Sequence, residues 1–82
     1  MPRKLVSKKQ LSEILTSELH KIEDAEGSRI TVQYSLREPD PDGCNWSDSV
    51  IVGVGPKASS EYLTPHVQRI VAAARREYNV TD

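Results

Sequence analysis

The sequence predicts a small α+β domain, in which a β-hairpin carries two helices packed on one of its faces. Two periodicities lead to this fold class: apolar residues recur at helical spacing in the first and last thirds of the chain, and they alternate with polar residues between them. A length of 82 residues is enough for one modest core. We therefore expect a single domain over residues 1–82 with the element order α-β-β-α.

The first six residues are expected to form a flexible, basic N-terminal segment that precedes the folded part. Arg3 and Lys4 lie within this segment, and Lys8 and Lys9 follow it closely. Chain ends rich in basic residues are usually solvated. The segment is therefore not expected to contribute to the core.

The first helix is predicted from about Lys8 to Ala25. Ser7 and Gln10 stand three residues apart, which is the spacing of a capping box at a helix start. Gly27 can adopt the left-handed conformation that ends many helices. Five apolar residues fall on one face of this helix: Leu11, Ile14, Leu15, Leu19 and Ile22.

Two strands are predicted after this helix, at residues 29–37 and 49–54. Apolar residues alternate with polar ones in the first strand, which is typical of a strand with one buried face. Pro39 and Pro41 cannot donate backbone hydrogen bonds, so they are expected to end this strand. The residues assigned to the buried face are Ile30, Val32, Tyr34 and Leu36 in the first strand and Val50, Val52 and Val54 in the second.

The second helix is predicted to begin with Thr64 as N-cap and Pro65 in the first helical position, where its missing N–H is not needed. An apolar stripe then runs to about Tyr78. Residues 56–63 leave two alternatives open, since they could form a preceding turn or the true start of the helix.

The predicted hairpin leaves one unpaired edge on each strand. A two-stranded sheet of this kind is marginal alone, and exposed edges tend to find partners. Two copies joined edge to edge would form a four-stranded sheet with four helices on one side. We therefore predict a homodimer.

The connection between the two strands is longer than a hairpin requires, and overlong loops are often functional. It holds the only cysteine and the only tryptophan of the chain. Exposed aromatic side chains dominate the binding energy of many interfaces. Our first hypothesis is therefore a small non-catalytic protein-interaction module, whose contact surface lies in the loop at 38–49 and uses Asp40, Asp42, Cys44, Asn45 and Trp46. An alternative left open is that Trp46 folds back over a core that contains no Phe.

The alternative functional hypothesis is a nucleic-acid-binding domain that uses the polar face of the first strand and the basic N-terminus. Its candidate residues are Arg3, Lys4, Lys8, Lys9, Arg29 and Arg37. The formal net charge of −1 provides no global attraction to nucleic acid. The strand face also lacks the aromatic side chains that stack on bases. Binding to phosphates would weaken steeply with salt, whereas a protein interface would change little.

Catalytic and metal-binding chemistry have little support in the sequence. A Cys44 nucleophile would need His66 as its base, but no third group is evident to orient the histidine. A zinc site of Cys and His ligands needs more than one Cys and two distant His. The acidic loop has Ser49 where a calcium loop has its bidentate Glu. We therefore predict no catalytic residue, no metal and no cofactor.

The location of the protein is predicted from its apolar runs and its cysteine content. No run approaches the roughly 20 apolar residues that a membrane-spanning helix needs. The first nine residues also lack the apolar segment of a signal peptide. A single cysteine is typical of a reducing compartment. We expect a cytoplasmic protein with no membrane partner.

Overall fold

The computed structural model describes residues 3–82 and shows a mixed helix and strand architecture, broadly α+β as predicted. Its elements are β1 (Lys4–Val6), α1 (Lys8–Leu19), β2 (Arg29–Val32), β3 (Val50–Gly53), α2 (Ser60–Glu77) and β4 (Tyr78–Val80). The strands form two separate two-stranded sheets, with β1 parallel to β4 and β2 antiparallel to β3. The predicted order α-β-β-α therefore lacked a strand at each end.

Strand β1 corrects the expectation of a flexible N-terminal segment. Residues Lys4–Val6 pair with the last strand of the chain, and the N–H of Thr81 extends the pairing by donating to the Val6 carbonyl at 2.9 Å. A strand of three residues is too short for alternation to be detected in a sequence. The same expectation for residues 1 and 2 lies outside the described part of the chain.

The capping box of α1 is confirmed, but the helix is shorter than predicted. The Ser7 hydroxyl accepts from the Gln10 N–H, and the Gln10 side chain accepts from the Ser7 N–H, both at 3.0 Å. The helix ends at Leu19, and the chain continues in turns whose N–H groups bond three residues back, such as Ile22 to Leu19 and Ala25 to Ile22. These turns keep Ile22 and Ala25 against the core, which is why the apolar spacing continues beyond the helix.

The ladder between β2 and β3 is shorter than predicted because its register shifts. Val32 pairs with Val50, and the next contact is an isolated bridge between Ser35 and Trp46. Residues 33 and 34 separate these two contacts after β2, whereas residues 47–49 separate them before β3. The segment before β3 therefore carries one extra residue. An extra residue interrupts the ladder and re-aims the side chains beyond it. Tyr34, which was predicted to be buried, is 57% exposed.

Helix α2 begins earlier than Thr64, so the second of the two alternatives is correct. Its N-cap is Ser59, whose hydroxyl accepts from the Tyr62 N–H at 3.1 Å. Pro65 consequently lies inside the helix, where it cannot donate an intrahelical bond. In the same first turns the Thr64 hydroxyl donates to the Ser60 carbonyl at 2.7 Å. The predicted end at about Tyr78 is confirmed within one residue.

The core lies where α1 packs along β2 and against α2. Its buried apolar residues are Leu11, Leu15, Leu19, Ala25, Ile30, Val32, Cys44, Trp46, Leu63, Val67, Ile70, Val71, Ala74 and Val80. Burial of Leu11, Leu15 and Leu19 confirms most of the predicted face of α1, although Ile14 is only half-buried. Within the described residues, neither helix combines the length and apolarity needed to cross a membrane.

Candidate functional site

Trp46, the predicted anchor of the loop surface, lies in the core. Its side chain is 0% exposed, and its indole Nε1–H donates to the Tyr78 carbonyl at 3.0 Å. A buried indole normally needs such a partner for its polar atom. The alternative in which Trp46 folds back into the core is therefore confirmed.

Asn45 binds the loop to β4 through its side-chain amide. Its Nδ2 donates to the Val80 carbonyl at 2.9 Å, and its Oδ1 accepts from the Val80 N–H at 2.8 Å. Asn79 of β4 adds a further bond to the loop, since its Nδ2 donates to the Gly43 carbonyl at 3.0 Å. The amide thus substitutes for a neighbouring peptide group, and the loop covers the edge of β4 that β1 leaves free.

Asp40 joins the loop to α2 through Arg75. Its Oδ2 accepts from the Arg75 guanidinium at 2.6 Å, and its Oδ1 accepts from the N–H groups of Asp42 and Cys44 at 3.0 and 3.1 Å. Desolvation alone would raise the pKa of Asp40. The two N–H groups and the guanidinium outweigh it and hold this pKa below its usual value. Arg75 also donates to the Trp46 carbonyl at 3.1 and 3.2 Å, so it fixes both ends of the loop.

Most of the residues predicted to form the contact surface of the loop consequently present little side-chain surface to a partner. Of the five residues predicted to form it, Cys44 and Trp46 are buried, Asp40 and Asn45 are half-buried with partners in the same chain, and Asp42 is exposed. Arg3 further restrains this region by donating to the Asp42 carbonyl at 2.6 Å and to the Arg75 carbonyl. The loop acts mainly as a fixed part of the fold.

The basic residues predicted to bind nucleic acid are distributed over several elements. Lys4 forms an exposed ion pair with Glu77 at 2.9 Å, and the hydrogen bond and charge of Glu77 raise the pKa of Lys4. Lys9 and Arg29 line one groove between α1 and β2. The remaining candidates are Arg3, engaged with backbone carbonyls as described above, Lys8 at the start of α1, and Arg37, exposed in the loop.

Cys44 and His66 are not joined by a hydrogen bond in the structure of residues 3–82. The buried Cys44 thiol donates to the Trp46 carbonyl at 3.5 Å. His66 contacts the ring edge of Tyr62, with 5.4 Å between ring centroids. No group of three or more metal-ligating side chains occurs among these same residues.

The outer edge of β2 is covered by hydroxyl side chains of α1. Thr16 Oγ1 accepts from the Ile30 N–H at 3.1 Å and donates to the Ile30 carbonyl at 3.2 Å. Ser12 Oγ accepts from the Val32 N–H at 2.9 Å. Covering a strand edge with a helix removes the unpaired backbone groups that would otherwise attract another strand.

The outer edge of β3 has no such cover in the described part of the chain. Ile30 and Val32 direct their backbone groups to α1. In an antiparallel ladder the residues paired with them, Val52 and Val50, therefore direct their own N–H and carbonyl groups away from β2. The Val50 N–H is bonded to the Asp48 carbonyl at 3.0 Å. The N–H and carbonyl of Val52 have no hydrogen-bond partner within residues 3–82.

An apolar groove of about 250 Å³ runs beside this edge, between β3 and α2. Its apolar lining consists of Val50, Val52, Val54, Leu63 and Val67. Asp48 and Gln68 lie on its polar rim. Val50 and Val52 are half-buried and Val54, just after β3, is exposed, although the sequence predicted all three to be buried. Unpaired backbone groups and an apolar groove therefore lie side by side.

A polar stripe in α1 is the signal that could have identified the difference between the two edges. Ser12, Thr16 and His20 are spaced four residues apart, and the His20 Nε2 donates to the Ser28 carbonyl just before β2 at 2.7 Å. Such spacing places all three on one side of a helix.

Comparison with protein-family models, curated proteins and solved structures finds no match to this chain.

Proposed function

We propose that this chain is a small non-catalytic protein-interaction module that binds an extended strand at the edge of β3. The difference between the two edges of the hairpin carries the proposal: α1 covers β2, whereas Val52 directs free backbone groups outward beside an apolar groove. Strand addition of this kind takes its affinity from main-chain hydrogen bonds and its specificity from pockets for alternate side chains.

The groove defines the chemistry of the strand it accepts. The side chains of Val50 and Val52 lie on the groove side, so the partner residues next to them would also be apolar, because neighbours on one face of a sheet pack together. On the opposite face Ile51 is 49% exposed and would contact another apolar or long side chain. We expect a partner segment with β-branched residues at alternate positions.

This proposal moves the contact surface from the loop at 38–49 to the β3 edge, because the loop is bound to β4 and α2. Asp42 and Asp48 keep exposed side chains and could contribute to a rim. The homodimer predicted from the sequence is one form of this activity, with the strand supplied by a second copy. The cytoplasmic location and the nucleic-acid alternative stay predictions.

The experiment compares Val52→Pro with Val52→Ala. Proline removes the outward N–H but none of the bonds to β2, and it is tolerated on edge strands. Alanine shortens the same side chain and retains the N–H. A displayed library of random twelve-residue peptides, panned against the native chain, should yield alternating apolar sequences that bind Val52→Ala and lose binding to Val52→Pro.

Amide exchange provides a second measurement that needs no variant. The Val52 N–H should exchange more slowly when a selected peptide is bound to the native chain. Absence of selected peptides, equal binding to Val52→Pro, or unchanged exchange at Val52 would each refute the proposal. Binding of a single-stranded oligonucleotide that weakens steeply with salt would favour the alternative function instead.

A further inference from the structure

We infer that the strand bound at this edge is β3 of a second copy of the chain, in an antiparallel register centred on Val52. The inference rests on the proposed function and names its partner. Val52 directs both backbone groups outward, so it can face its own counterpart and exchange two hydrogen bonds across a two-fold axis. Val50 of one copy then lies towards Val54 of the other, while the Val50 N–H keeps its bond to the Asp48 carbonyl.

Self-pairing would leave no open strand edge in the hairpin sheets. The combined sheet has the order β2-β3-β3-β2, and each outer β2 edge is already covered by Ser12 and Thr16 of its own helix. A two-fold axis perpendicular to the sheet keeps both groove faces on one side. The valines of the two β3 strands therefore form one apolar row between the two α2 helices.

The charges that flank β3 favour this register. Asp48 precedes the strand and Lys57 follows it, and both side chains are exposed without an ion pair among residues 3–82. Antiparallel pairing centred on Val52 brings the Asp48 end of each β3 towards the Lys57 end of the other, twice by symmetry, because Asp48 precedes the strand and Lys57 follows it. Parallel pairing would instead bring each charge beside its own kind. Such exposed pairs add little affinity, but they discriminate between orientations.

Charge exchange tests the register. The native chain should form a concentration-dependent dimer in sedimentation equilibrium. Asp48→Lys and Lys57→Asp each create two like-charge contacts, so each variant alone should dimerise about tenfold or more weakly. An equimolar mixture of the two variants should recover native affinity as a heterodimer, because both contacts become opposite in sign. Asp42→Lys and Lys9→Asp are the matched controls, with the same charge changes at exposed sites away from β3.

A disulfide tests the two-fold position directly. Hydrogen-bonded partners in an antiparallel pair have Cα atoms about 5.5 Å apart, within the range of a disulfide. Val52→Cys should therefore form an intermolecular disulfide on mild oxidation, whereas Thr31→Cys on β2 should not. The native Cys44 is buried and should not react.

The outcomes separate this inference from the function on which it rests. A native chain that is monomeric at about 1 mM, or charge variants that fail to recover affinity on mixing, would overturn self-pairing. If selected peptides then still bind in a Val52→Pro-sensitive manner, the strand-binding module remains. A dimer that tolerates Val52→Pro and both charge variants uses another surface and would overturn self-pairing at β3, whereas the strand-binding module is decided by the peptide test alone.

Discussion

Replacement of Trp46 should remove a large part of the stability of this chain. The side chain is 0% exposed and its Nε1–H satisfies the Tyr78 carbonyl. Truncation of a core Trp to Ala typically costs about 3–5 kcal/mol. At about 0.05–0.15 kcal/mol per residue, a domain of this size has roughly 4–12 kcal/mol in total. Trp46→Ala should thus remove a large share of this total, and it should unfold a substantial fraction of molecules where the native value lies at the lower end of the range. Trp46→Phe, which retains a ring and loses the hydrogen bond, should cost about 1–3 kcal/mol.

Urea denaturation followed by far-ultraviolet circular dichroism measures these costs at fixed protein concentration. The control is Leu5→Ala, since Leu5 is 69% exposed and should change the unfolding free energy by no more than about 0.5 kcal/mol. In the native chain, acrylamide should quench Trp46 fluorescence weakly. A Trp46→Ala cost below about 1 kcal/mol, or quenching comparable to that of free indole, would refute the burial of this side chain.

Three further substitutions test contacts that hold the fold together. Gly55→Ala should destabilise the chain by about 1–3 kcal/mol or more, because an added Cβ would overlap the Glu26 carbonyl. Gly53→Ala, whose Cβ would make only an ordinary contact with the Arg29 side chain, should cost less than about 1 kcal/mol in the same urea denaturation, and equal costs would contradict this. Thr16→Val should cost about 1 kcal/mol and speed exchange of the Ile30 amide, and unchanged exchange would exclude the proposed edge cover. Asp40→Asn should destabilise the chain at pH 7, and the difference from native should vanish as pH falls from about 4 through the lowered Asp40 pKa; a pH-independent difference would argue against the ion pair.

The parts of the fold that were predicted from the sequence are those coded by neighbouring residues. The capping box at Ser7 and the apolar face of α1 depend on residues within a few turns of one another, so local patterns identify them. The position of the loop depends instead on a distant residue, because Asn45 bonds to Val80, 35 residues away. Nothing near Asn45 in the sequence indicates that its amide would replace a strand.

The sequence placed the contact surface in the loop at 38–49 and used the unpaired strand edges only to predict a homodimer. Within residues 3–82 the hairpin keeps one uncovered edge, on β3. The spacing of Ser12 and Thr16 on α1 was a signal for the cover over the other edge, but it was not interpreted in that way because hydroxyl side chains on a helix face are usually solvated. The loop drew attention through its rare residue types, yet Trp46 and Cys44 are rare residues used in packing.

The pairing of β1 with β4 affects the order in which this chain can fold. These strands are joined across more than seventy residues, and closing so long a segment is entropically costly and slow. The elements from α1 to β3 contact one another over shorter separations and can assemble earlier. Residues Tyr78–Val80 then bind β1 on one side and the loop on the other, so a chain ending at Glu77 would lose both attachments at once. The N-terminal strand therefore acquires its partner, and Asn45 and Trp46 acquire their bonds to β4, only after Val80 has been synthesised, whereas Arg75 can already hold the loop.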